Sequence, residues 1–159
     1  MAVPQHLESF WRSFASAVKR PVDEFFYEAF YFGDSEALAN ELASLVLQGK
    51  KLATAGSVWS AEAEGKRLPR PGDLSIVTNW SGEPLCVIET ESVTVLHFNQ
   101  VQADFAAAEG EGDGTLASWQ QAHRSYFSRE CAAAGRQFSE NMPVACERFK
   151  VLYSAASGA

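Results

Sequence analysis

The stretch "QGKKLATAG", residues 48–56, decides how this chain is read. A glycine precedes two lysines, and a threonine stands three residues after the second. Upstream, Asp34 or Ser35 offers a helix N-cap, and Leu38, Leu42, Leu45 and Val46 fall at helical spacing. Gly49 then suits the residue just past the helix end, where φ must be positive. Lys50 and Lys51 fall beside the negative end of the helix dipole. In extended chain Lys51 and Thr54 would face opposite sides; in a tight turn they would face the same way. Spacing alone leaves two readings open: a solvated lysine pair beside a strand threonine, or an ammonium and a hydroxyl aimed at one substrate.

Working outward, Leu7, Phe10, Trp11, Phe14 and Val18 predict an amphipathic helix over 7–18, ended before Pro21. The aromatic segment 23–35, "DEFFYEAFYFGDS", is read as a helix closed by a turn at Gly33. "KLATA" starts a strand, and 57–65 is a short helix or loop. "LPRPGD" is a turn, 74–78 a strand, 79–84 a hairpin connection and 85–98 one long or bent strand. Asn99 is expected to cap a short helix holding Val101 and Phe105, broken by the glycines of "EGEGDG". Thr115 caps a last helix that ends near Gly135, and 143–153 is the final strand. A small, curved, mixed α+β sheet or barrel flanked by helices buries these elements most economically. The tail 154–159 is expected to be loose.

The 159 residues, 47% hydrophobic and 21% charged, suit one globular domain. No apolar run is long enough to span a bilayer, and the N-terminus lacks a secretory pattern, so no membrane association is expected. Cys86, Cys131 and Cys146 are scattered and odd in number, without ligand spacing; they read as buried hydrophobes in the cytoplasm. Neither metal nor cofactor is expected. A net charge of −7 and a pI near 4.9 exclude broad, nonspecific phosphate binding but not a compact basic pocket.

Three groups carry candidate chemistry. Lys51, if desolvated, can give up its charge and activate the Thr54 hydroxyl. Glu109, Glu111 and Asp113 alternate with glycines; they do not form a calcium loop, but one carboxylate from this loop is a candidate acid or base. Trp119, His123 and Tyr126 share one helix face, with Ser128 and Arg129 beyond, an arrangement suited either to a core or to a base and its phosphate. Trp59 and Trp80 fall in loops and could stack a ring or cover a barrel mouth.

Taken together, these residues resemble the ASCH family (activating signal cointegrator homology). Gly49, Lys51 and Thr54 match its G-x-K-x-x-T signature, flanked by "YFGDSEALANELASLVLQGKKLATA", "PGDLSIV", "GEPLCVIETESVTV", "FAAAEGEGDGTLASWQQAHRSYF" and "MPVACERFKVLY". The resemblance covers about 30–153 and implies a PUA-like β-barrel whose cleft carries the signature turn. It leaves 1–30 as an N-terminal helical extension, a candidate dimer surface, before an ASCH domain at 31–153. It implies RNA as the partner, with some bacterial members resembling ribonucleases that act on single-stranded RNA. A short-chain branch removes the acetyl group of N4-acetylcytidine using Lys, Thr and Glu. Those roles fall on Lys51, Thr54 and Glu109, with Glu111 a rival for the last. Gly56 stands where many members carry arginine; Lys50 or Arg129 is the candidate replacement.

The leading expectation is therefore a metal-independent ribonuclease or reader of single-stranded RNA. Lys51, Thr54 and Glu109 would be catalytic, and Lys50, Trp59, Glu111, His123, Tyr126, Ser128 and Arg129 would bind substrate. An amidohydrolase acting on an N-acylated nucleoside is the first alternative, and a non-catalytic RNA-binding module the second.

Overall fold

The computed structural model describes residues 2–155. After a 3-10 turn at Gln5–Leu7, the elements are α1 (Glu8–Val18), β1 (Phe26–Phe30), α2 (Glu36–Leu47), β2 (Ala53–Ser57) and α3 (Val58–Ala63). They continue with β3 (Leu74–Thr78), β4 (Pro84–His97), α4 (Ala103–Glu109), α5 (Leu116–Ala133) and β5 (Pro143–Ser154). The five strands form one mixed sheet in the order β1-β3-β4-β5-β2, with β1 parallel to β3 and the other pairs antiparallel.

The long β4–β5 ribbon organises the sheet. Its register shifts between Thr90 and Ser92, a bulge at which a strand bends. On one side of the bend β4 pairs with β3; on the other, β5 pairs with β2. β1 and β2 are therefore the two ends of the sheet, and residues from both line the same cavity.

Three apolar clusters hold the layers. Trp11 and Phe14 of α1 pack on Phe26, Leu74, Ile76 and Val87, which places the amphipathic face of α1 on the sheet. Leu42, Ala43 and Val46 of α2 meet Val77, Ile88 and Phe149. Phe105 of α4 and Trp119 and Phe127 of α5 close over Ala53, Val144 and Cys146. With both faces covered, every residue of β3 is buried, the small polar Ser75 and Thr78 included.

Local signals hold where the chain decides locally. Ser35 Oγ accepts from Leu38 N, and Thr115 Oγ1 accepts from Ser118 N, as N-caps do. Two expectations are corrected. Residues 26–30 form a strand, not part of a helix: an irregularity between Phe26 and Glu28 lets Phe26 pack toward α1 and Phe30 toward α2, so apolar residues on both faces erase the period-2 signal. Asn99 does not cap a helix either. It lies in a 3-10 turn, Phe98–Gln100, between the buried anchors Phe98 and Val101, and α4 begins only at Ala103. Ser154 still pairs with Cys86 at the end of β5; residues 156–159, the rest of the expected loose tail, lie outside the described residues.

Candidate functional site

The turn that opened the question is built by the end of α2. The amides of Gly49, Lys50 and Lys51 return to the carbonyls of Val46, Leu45 and Leu45, at 3.0, 2.9 and 3.1 Å, so the α2 terminus is capped by the signature turn itself. Leu52 N then donates to Ala108 O at 2.8 Å, which docks this turn against α4. Because Lys51 lies ahead of β2 and Thr54 within it, strand alternation does not separate them, and both line one cavity.

Gly110, at φ +64°, makes the docking possible. A Cβ there would fall 2.0 Å from the Lys50 carbonyl oxygen. Gly110→Ala is expected to destabilise the fold by more than about 2 kcal/mol in urea unfolding, from the left-handed backbone and the clash together. A near-neutral result would show that the α2–α4 junction yields easily and does not fix Lys51.

Lys51 is 1% exposed. Its Nζ donates to Ala53 O at 2.7 Å, Glu109 Oε1 at 2.8 Å and Glu111 Oε2 at 2.7 Å, which uses all three protons. Glu109, equally buried, also accepts from Trp119 Nε1 at 2.5 Å. His123 lies flat on Trp119, with ring centroids 4.2 Å apart. Its Nε2 is 3.2 Å from Glu109 Oε2 and its Nδ1 is 2.9 Å from Trp119 O. A carbonyl only accepts, so Nδ1 carries a proton, and the ionised Glu109 carboxylate beside Nε2 favours a second one there. Two cations and two carboxylates thus balance to zero in the buried floor.

The titration shifts agree with this geometry. Burial alone would lower Lys51 and His123, but the facing carboxylates outweigh it and raise both. Burial alone would raise Glu109, yet Lys51 and His123 hold it well below the usual carboxylate range. Glu111 is raised, by burial and by its neighbour Glu109. Lys51 is consequently a held ammonium and not a neutral amine base.

A pH dependence follows. Because the folded value of His123 is raised, its stabilisation is complete below the ordinary histidine range near 6.5 and is lost as pH rises through the folded value. The lowered Glu109 contributes above the ordinary glutamate range, and that contribution is lost as pH falls through its folded value. Thermal stability should therefore fall on the alkaline side of 6.5, and His123→Asn should flatten that limb. Equal alkaline slopes in both proteins would contradict a doubly protonated ring.

The cavity has a volume of about 410 Å³, within the range of small-ligand sites. Its floor is the charged network with Thr54, whose hydroxyl makes no hydrogen bond among the described residues. One wall is Phe30, Tyr31 and Phe32, running out of β1; the other is Tyr126 and Arg129 of α5, with Arg129 paired to Asp34 at 2.8 Å. Burial pushes the Tyr126 phenol up to about 12, so it stays protonated and can donate. Glu109, Glu111 and His123 carry ligand atoms within 4.8 Å of one another, a set that suits a divalent ion, but the Lys51 ammonium already lies between the two carboxylates.

Other candidate residues fall elsewhere. Lys50 is exposed and is not on the cavity wall. Trp59 packs at the edge of the α4–α5 core beneath the Arg136 guanidinium, 4.1 Å from its ring centroid. Ser128 lies on an outer depression of α5 that shares Ser125 and Arg129 with the cavity. Gly56 is exposed, with nothing within 4 Å of a Cβ built on it, so space does not explain its departure from arginine. The aromatic wall 30–32 was not singled out from the sequence; its signal was the density of rings just before Gly33.

A family model described as the ASCH domain matches residues 28–153. The chain belongs to the ASCH family. Among solved structures, an ASCH domain from Lactobacillus crispatus JV V101 is 44% identical, with 95% of this chain and 96% of that one covered and a TM-score of 0.87. A protein from Enterococcus faecalis V583 is 32% identical over 93% of this chain and 88% of its own, with a TM-score of 0.85. No protein of curated function matches. The ASCH assignment carries a PUA-like fold and suggests an RNA-related function. No helix among the described residues is long and apolar enough to cross a membrane.

Proposed function

We propose that this ASCH domain takes one nucleobase of an RNA into the cavity and hydrolyses an N-acyl amide on it, of the N4-acylcytosine type. The observation that carries this reading is the charge balance of the floor. Lys51 has no free proton to give a phosphate, and Arg129 is already paired, so the cavity matches a neutral planar group better than a phosphodiester. Thr54 supplies a floor hydroxyl that has no hydrogen bond among the described residues. Its oxygen attacks the acyl carbon while its proton passes to Glu111, whose raised affinity for protons suits a base. Once Glu111 holds that proton, the Lys51 charge is no longer fully balanced, and the floor's net positive charge favours the developing oxyanion through space. Glu111 returns the proton to the departing amine; water then opens the threonine ester, releasing the carboxylic acid and restoring the hydroxyl. Glu109, gripped by Lys51, Trp119 and His123, positions the lysine.

A second reading, the ribonuclease, is favoured by the polar depression on α5, lined by Gln120, Gln121, Ser125 and Ser128, where Arg124 and Arg129 would have to leave Glu140 and Asp34 to meet a phosphate. One experiment separates the two. Pure protein in EDTA is incubated with N4-acetylcytidine and, separately, with unmodified single-stranded RNA. The proposal expects cytidine and acetate from the first and intact RNA from the second. Cleaved RNA without deacylation would replace it with the ribonuclease; binding without any product would leave a reader module. In this reading the curved sheet is the PUA-like barrel, 31–153 together with β1 the functional unit, α1 its helical cover and candidate dimer surface, and the cytoplasm its location.

A further inference from the structure

Two aromatic rings outside the charged floor have no structural employment. Tyr31, just past β1, is 43% exposed, and Trp80, in the β3–β4 hairpin, is 37% exposed. Their centroids lie 4.7 Å apart with the planes tilted by 53°. Among the described residues this is the one ring pair in which both partners are exposed. Hydrogen bonds hold the hairpin backbone on either side of Trp80. Asn79 N donates to Glu83 O and Gly82 N to Asn79 O, both at 3.0 Å, and the side chains of Asn79 and Glu83 close the same turn. Trp80 N donates to Asn40 Oδ1 of α2 at 3.2 Å. A fixed pair of large rings facing water keeps a planar surface ready for a partner. Tyr31 also lines the cavity, so this surface is continuous with its mouth.

We propose that Tyr31 and Trp80 form a stacking ledge for the base next to the one in the cavity. The substrate class is then a modified base within single-stranded RNA of two or more nucleotides, not a free nucleoside. This rests on the nucleobase reading above and extends it outward. Stacking on aromatic rings tolerates any base and needs no cation, which suits a chain of net charge −7. The ledge should add roughly 5- to 150-fold in affinity for the neighbouring base, with weak dependence on salt.

The test is equilibrium binding by calorimetry. The probes are N4-acetylcytidine, a dinucleotide joining it to adenosine, and the same dinucleotide with an abasic sugar in place of adenosine. Thr54→Ala serves as background so that the probes stay intact, with and without Trp80→Ala and Trp80→Phe. The expected result is that adenosine strengthens binding at least fivefold over the abasic sugar and that Trp80→Ala removes this gain. Trp80→Phe should keep part of it, and affinity for the mononucleoside should not change. Equal affinity for the adenosine and abasic probes, or a gain that survives Trp80→Ala, would overturn the ledge while leaving the cavity reading intact. A Trp80-dependent gain in a protein that does not bind the mononucleoside would keep the ledge and sink the cavity reading. No binding by any probe would sink both.

Discussion

Lys51→Ala is expected to lower folding stability at pH 7 by about 3–5 kcal/mol, the usual consequence of removing one partner from a buried ion pair. The ammonium is 1% exposed and bonds two carboxylates and a carbonyl. Without it, Glu109 and Glu111 face each other in the cavity floor, and His123 compensates only one of them. The deficit should shrink as pH falls toward the carboxylate range, because protonating either glutamate relieves the repulsion. Glu111, already raised, protonates first. Lys51→Met combined with Glu109→Gln removes one charge of each sign and should recover much of the loss. Urea unfolding of the three proteins at pH 7 and at about pH 5 makes the comparison. A deficit that is the same at both pH values would mean that the lysine acts through its methylenes and not its charge. Loss of turnover in Lys51→Ala therefore does not by itself identify a catalytic group, since the variant disturbs the floor that every other residue shares.

That dual role also explains what the sequence could and could not disclose. Gly49, Ser35 and Thr115 were legible because capping and positive φ are local requirements. β3, β4 and β5 were legible from β-branched runs. The relation between Lys51 and Thr54 was not, because the same spacing permits two side-chain directions until Leu52 N meets Ala108 O and fixes the turn. The distinction between Lys50 and Lys51 has the same origin: one contact with α4 sends the first outward and the second into the floor. Glu109 and Glu111 stood as rivals in the sequence, and packing separates them by environment, one held by three partners and the other partly open to the cavity. β1 was misread because rings on both faces hide a strand's alternation, and the cavity wall at 30–32 was lost with it. Glu147 escaped notice entirely. It faces Thr54 across the β2–β5 ladder and accepts from Thr90 Oγ1 at 2.6 Å, and burial pushes its carboxyl up to about 7. Only the register, which no local pattern specifies, brings it there.

Thr54→Val carries the sharper functional prediction, because Thr54 can be changed without touching the ion network. The hydroxyl has no partner among the described residues and the side chain is half-buried, so stability should stay within about 0.5 kcal/mol of wild type. Affinity for N4-acetylcytidine should also persist, since Phe30, Phe32 and Tyr126 are unchanged. Turnover should fall by roughly a thousandfold or more, as when the attacking atom of a covalent mechanism is removed. Thr54→Ser keeps that atom and should retain measurable activity, with some loss because the missing methyl frees the side-chain rotamer. Mass spectrometry of acid-quenched wild type should find an acyl group on Thr54 that the valine variant cannot form. If the valine variant still turned over substrate near the wild-type rate, the attacking oxygen would have to come from water with Glu111 as its base, and the threonine would be only part of the wall.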